Sequence, residues 1–203
     1  MAITVDGKKI ASSILQDLAT RVKSIKKQGI TPALAVVRVG NNKPSITYVR
    51  KKEESAHKIG VDFFKFEIAD CEGKDELIAR IKQIQAEHNL SGMILQLPVP
   101  EKLWPFTREI VNNINIEIDV DCLSHLALGR VMMNESPFVP PTPGAIMEIL
   151  KYYQVMLEKT EKYLLSNRNI SVKDYKGAKF RIRSYKKSIQ EIKDRISLIN
   201  RCK

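Results

Sequence analysis

The sequence predicts an α/β fold: a parallel sheet laid down in βαβαβ order, with helices on both faces, followed by a basic tail. Three observations lead there. Apolar residues recur at helical spacing in some stretches and run continuously in others, the two patterns alternate along the chain, and glycine or proline stands at the joints. Such alternation implies a mostly parallel sheet whose functional groups gather at the carboxyl ends of its strands.

Ile10, Ile14, Leu18, Val22 and Ile25 form an apolar stripe closed by Gly29, which predicts a first helix. Pro32 to Val39 is a β-rich run ending in the turn Gly40-Asn41-Asn42. Pro44 opens a second helix that runs to about Lys58, with Gly60 as its stop. Val61 to Ile68 reads as a second strand and Lys74 to His88 as a helix burying Leu77, Ile81 and Ile84. Gly92 to Leu97 completes the set as a continuous apolar strand. In the tail, Phe180, Ile182 and Tyr185 suggest a short strand or turn, and Ile189, Ile192, Ile196 and Ile199 a helical stripe.

The 203 residues, 43% of them hydrophobic, are ample for a buried core. The start, Met1 to Asp6, carries no basic segment followed by an apolar one, and no stretch approaches the roughly 20 apolar residues that span a bilayer. A soluble cytoplasmic protein without a membrane partner is the expectation. Cys71, Cys122 and Cys202 lack CxxC spacing and His57, His88 and His125 stand apart, so neither a disulfide framework nor a metal site is expected. The net charge of +11 sits mostly in residues 156–203, which hold 14 Lys/Arg against 5 Asp/Glu, leaving 20 against 18 for the rest.

Two positions stand out chemically. Tyr48 and Lys52 lie four apart on the predicted second helix, so they project from one face and can act on one ligand; a surface aromatic beside a solvated lysine has the same spacing. Gln96 interrupts Met93-Ile94-Leu95 at the end of a strand, where a buried amide needs partners. It is either a satisfied core amide or a ligand contact at a strand's carboxyl end.

The stretch Val39-Gly40-Asn41-Asn42-Lys43-Pro44-Ser45-Ile46-Thr47-Tyr48-Val49-Arg50-Lys51-Lys52, the run Gly92 to Pro100, Asp119-Val120-Asp121 and Pro140-Pro141-Thr142-Pro143 together resemble the bifunctional methylenetetrahydrofolate dehydrogenase/cyclohydrolase family. The resemblance covers residues 1–155, the family's folate-binding catalytic half. It implies that Lys52 is the acid/base residue, that Tyr48 packs on and orients the folate, and that Gln96 holds the lysine. Leu97, Pro98 and Asp121 join Tyr48 and Gln96 as substrate-binding residues, Asp121 against the pterin ring. The family usually continues Asp-Val-Asp-Gly, whereas this chain has Cys122, which removes backbone freedom beside that site.

The implied chemistry suits these residue types. The family oxidises 5,10-methylenetetrahydrofolate with NADP, a step that rests mainly on positioning, and then hydrolyses the methenyl product to 10-formyltetrahydrofolate, which needs proton transfers that a lysine can make. Arg50 and Lys51 add positive charge to that lysine's cleft where they share it. NADP is the expected cofactor, tetrahydrofolate derivatives are the expected ligands, and a homodimer is the expected assembly. Past Val155, however, the resemblance implies a strand, a glycine turn and a helix to meet a pyrophosphate, and residues 156–203 contain only Gly177. The NADP site is therefore not recognisable, and 156–203 reads as a divergent basic tail in place of the nucleotide-binding domain. That tail is either a helix packing on the rest of the chain or the product of a frameshift or truncation. A different functional class stays open beside the enzyme: an inactive module binding nucleic acid or protein through 156–203.

Overall fold

The computed structural model describes residues 6–69, 73–167 and 171–201, the side chains of 195–201 excepted. Cys71 and Cys202, the opening residues 1–5 and the side chains of Ile196 and Ile199 lie outside that description. The chain divides into two compact units, one of residues 13–141 and one that joins the residues up to Ser12 with those from Thr142 onward.

The larger unit holds the sheet. Helix α1 (Gly7–Lys26) leads to β1 (Ala33–Val39), α2 (Lys43–Ile59), β2 (Asp62–Ile68), α3 (Lys74–Glu87) and β3 (Gly92–Leu95). The strands are parallel in the order β2-β1-β3, with Val37 opposite both Phe66 and Leu95. Side-chain alternation along β1 sends Ala35, Val37 and Val39 toward Leu77, Ile81 and Ile84 of α3, and Val36 toward Val49 of α2. The two helices therefore cover opposite faces, as the βαβαβ pattern predicts. The first connection leaves β1 on one side and the second crosses to its other side, so a crevice opens at the carboxyl ends of β1 and β3.

Local residues fix the ends of α2. Asn42 caps its start, its Oδ1 accepting from Ser45 N at 3.0 Å, and Pro44 sits in the first turn. Gly60 ends it with φ 81°, a left-handed conformation that glycine adopts at no steric cost. Gly92 has another reason to be glycine: a Cβ there would lie 2.8 Å from Val120 Cγ1. Strand β3 stops at Leu95, two residues short of the expected Leu97. Gln96 N still donates to Val37 O at 2.8 Å, and Pro98 has no N–H to continue the ladder.

Beyond β3 the chain forms a 3-10 helix (Glu101–Phe106), α4 (Thr107–Val111) and α5 (His125–Met132). The second unit contains α6 (Pro141–Ser166) and α7 (Val172–Arg201). Two expectations are corrected here. Helix α6 does not give way to a strand after Val155 but continues to Ser166, and Phe180, Ile182 and Tyr185 are helical. The reason is spacing. Ala178, Ile182, Tyr185, Ile189 and Ile192 recur every three or four residues on the less exposed side of the helix, and Tyr185, Ile189 and Ile192 pack with Leu150, Tyr153 and Leu157 of α6. Helical burial on that stripe outweighs the β preference of the individual Phe, Ile and Tyr residues.

Candidate active site

Helix α2 presents Tyr48 and Lys52 from one face, held by the Asn42 cap below and by Val49 packed into the sheet. Tyr48 is 58% exposed, so its ring offers a face rather than filling the core. Lys52 Nζ donates to Gln96 Oε1 at 3.2 Å, and Gln96 Nε2 donates to Leu97 O at 2.7 Å. The Gln96 amide is thus satisfied at both ends, one end by the lysine.

Asp121 arrives from the other side. Residues 118–120 run alongside β3, with Met93 N donating to Ile118 O at 2.7 Å and Met93 bridging to Asp119. Asp119 is fully buried and its carboxylate accepts from Leu123 N and Ser124 N, which folds the following turn. That turn leaves Asp121 Oδ2 4.0 Å from Lys52 Nζ. Burial pushes the Asp121 carboxyl above its ordinary value, Lys52 pulls it down, and the Asp119 carboxylate adds to the rise.

Cys122 follows with φ 55°, in the left-handed region, its side chain buried. A glycine would adopt this conformation freely, so the residue that breaks the Asp-Val-Asp-Gly pattern sits where backbone freedom matters. Burial and the Asp119 carboxylate push the Cys122 thiol up, toward the protonated and unreactive form.

Tyr48, Lys51, Lys52, Ser55 and Asp121 line one cavity of about 500 Å³, floored by Leu34, Ala56 and Ile94. Of the residues singled out in the sequence, Tyr48, Lys52 and Asp121 therefore share this cavity, and Gln96 reaches it through its bond to Lys52. Leu97 packs against the core, and Pro98 lines a separate crevice of about 760 Å³ with Gly40, Asn42 and Trp104, at the carboxyl ends of β1 and β3. Arg50 does not share the lysine's cavity: it pairs with Glu54 at 3.7 Å and faces Arg38 and Glu67, whereas Lys51 does share it. Sequence reasoning had not singled out Ser55, or Asp119 as the anchor of the turn. The aspartate one residue before Val120 was visible, but only its burial shows its use.

No group of three or more His, Cys, Asp or Glu side chains that could hold a metal ion occurs among the described residues. A dinucleotide needs a strand, a glycine turn and a helix N-terminus around its pyrophosphate. Among the described residues after Thr142 there are two helices and no strand, and Gly177 lies inside α7, so these residues do not fit NADP. No helix among the described residues is long and apolar enough to cross a membrane.

Residues 5–121 match the family described as tetrahydrofolate dehydrogenase/cyclohydrolase, catalytic domain. The bifunctional protein FolD of Lysinibacillus sphaericus is 36% identical over 148 residues, covering 73% of this chain and 51% of that protein. Among solved structures, the Campylobacter jejuni bifunctional FolD methylenetetrahydrofolate dehydrogenase/cyclohydrolase superposes with a TM-score of 0.70 at 30% identity, over 75% of this chain and 54% of that one. The Trypanosoma brucei enzyme, solved with NADP cofactor and inhibitor, gives 0.68 at 28% identity, over 74% and 51%. The chain thus spans about half the length of the relatives it matches. The match over residues 5–121, more than half of the chain, places it in the tetrahydrofolate dehydrogenase/cyclohydrolase family.

Proposed function

We propose that residues 1–155 form a tetrahydrofolate-binding catalytic domain and that its chemistry is the cyclohydrolase step, opening 5,10-methenyltetrahydrofolate to 10-formyltetrahydrofolate. The observation that carries this is the Lys52–Gln96 hydrogen bond, with Asp121 4.0 Å from the same ammonium and sharing a cavity with Lys52. Water adds to the cationic methenyl carbon and releases one proton to solvent; the ring C–N bond then breaks as the hydroxyl becomes the formyl C=O, and Lys52 relays the hydroxyl proton to the departing ring nitrogen. Tyr48 stacks on the folate, Asp121 accepts from the pterin N–H groups, and Gln96 fixes the lysine's direction. Leu97 and Pro98 close the edge of the substrate site.

NADP-dependent oxidation is not part of the proposal for this chain, because the described residues after Thr142 form two helices and no strand, glycine turn and helix that would meet a pyrophosphate. A cytoplasmic homodimer in folate one-carbon metabolism is the setting the family suggests. The test follows methenyltetrahydrofolate loss and NADPH formation on one purified sample. Hydrolysis above the buffer rate without NADPH formation is the expected result. Absence of both in folded protein, or saturable NADPH production, overturns the proposal.

A further inference from the structure

We propose that the outer face of α7 is a binding site for single-stranded nucleic acid, independent of the folate site. Between Asp174 and Glu191 the helix carries Lys176, Lys179, Arg181, Arg183, Lys186 and Lys187 and no acidic residue. Lys173, Lys176, Phe180, Arg183 and Lys187 follow one another at intervals of three or four, so they form one row about 21 Å long at 1.5 Å per residue. All five are exposed. Among the described residues Lys187 pairs with Glu191, while Lys173, Lys176 and Arg183 take part in no ion pair.

Such a row works against its own helix. Like charges three and four apart repel, by about 0.2–0.5 kcal/mol for each pair. A polyanion laid along the row removes that repulsion and releases its own counterions. In the middle of the row stands Phe180, 45% exposed, and five residues earlier, off the row, Tyr175, 40% exposed, with Lys179 Nζ over its ring. An exposed aromatic flanked by cations is what an unstacked base needs, since every base has a face to stack. A lipid surface fits less well. The apolar stripe of α7 is consumed against α6, leaving Phe180 as the single large apolar side chain on the basic row.

The test uses the full chain and fluorescein-labelled oligo(dT), read by fluorescence anisotropy over a series of salt concentrations, with phosphatidylserine vesicles sedimented in parallel. The expected result is binding to oligo(dT) whose log affinity falls linearly with log salt. Lys176→Gln with Arg183→Gln keeps good helix formers and should flatten that slope by about 1.4, because two phosphates are no longer neutralised. Phe180→Ala should weaken binding about tenfold while leaving the slope unchanged. Lys23→Gln with Lys27→Gln removes the same charge from exposed positions in the last turn of α1 and just past its end, and should leave affinity and slope as they were. Equal losses of affinity from the α7 and α1 pairs would show that net charge alone binds, and would overturn the site. So would no binding, or binding to vesicles but not to oligo(dT). Circular dichroism of each variant separates a weakened site from an unfolded helix, and Phe180→Ala touches no core cluster, so its readout stands if the double variant unfolds.

Discussion

Lys52 and Gln96, 44 residues apart, are joined by a hydrogen bond of 3.2 Å from Nζ to Oε1. The lysine comes from the middle of α2 and the glutamine from just past the end of β3, so this one bond ties the helix to the sheet edge where a ligand would sit.

Lys52→Met should lower methenyltetrahydrofolate hydrolysis about 10²- to 10⁴-fold while folate binding stays measurable. The methionine keeps the length of the side chain and removes the transferable proton. Gln96→Leu should cost less in rate than Lys52→Met and should weaken folate binding as well, since it leaves the lysine without its positioning acceptor. Steady-state hydrolysis and fluorescence binding on the same preparations check both, and hydrolysis by the Lys52 variant equal to the parent's would exclude it as the proton carrier.

Cys122 has φ 55°, where a β-carbon is strained and glycine is not. Cys122→Gly relieves the strain and loses the buried thiol, whereas Cys122→Ala keeps the strain and loses the thiol. The glycine variant should therefore be the more stable of the two by about 1 kcal/mol, the reverse of the usual order of these residues. Urea unfolding of both proteins decides it, and an alanine variant as stable as the glycine one would show that the turn carries no strain.

Helices α1 to α3 and the three strands were legible because burial and spacing agree there: Leu77, Ile81 and Ile84 are inward at helical intervals, and β3 is a continuous apolar run, whereas β2 alternates its Phe residues with Asp62, Lys65 and Glu67. The active-site candidates were legible only in part. Tyr48 and Lys52 share a helical face, which spacing can reveal, but the Lys52–Gln96 bond is a product of tertiary folding that no local pattern encodes. Asp119 and Asp121 look alike in sequence and part company only through the turn that buries one and opens the other to the cavity. In the tail, Phe180, Ile182 and Tyr185 carry β-forming side chains, and only the continuation of their three- and four-residue spacing through Ile189 and Ile192 marks them as helix.

Arg38 is a charged residue inside β1, with its side chain 7% exposed, and Glu67 on the neighbouring strand accepts from its Nη2 at 2.8 Å. The Arg38 hydrogen bond holds the Glu67 carboxyl below its ordinary 4.5. Since the folded state binds that proton more weakly than the unfolded chain, the pair contributes stability above pH 4.5 that is lost as pH falls through the lower, folded value. Glu67→Gln should lower the urea midpoint at neutral pH and converge on the parent in acid. Because Glu67 is half exposed, the effect is modest. A difference between variant and parent that stays constant from neutral to acid pH would assign it to packing instead.

Asp121 has the opposite sign. Burial raises its carboxyl above the ordinary 3.8, with the Asp119 carboxylate helping and Lys52 opposing. The folded protein therefore holds this proton more tightly than the unfolded chain does. Between 3.8 and the raised value the folded state carries more protons, so stability falls as pH rises through that window and the loss persists above it. Keeping an ionised aspartate in this cavity thus destabilises the fold at neutral pH, while its acceptor oxygens are what a pterin's N–H groups require. Asp121→Asn removes the charge at nearly constant shape. At about pH 7 it should unfold at a higher urea concentration than the parent and bind folate more weakly, and below pH 3.8 the two unfolding curves should coincide. An asparagine variant less stable than the parent at neutral pH would show that the attraction to Lys52, 4.0 Å away, outweighs the cost of burial.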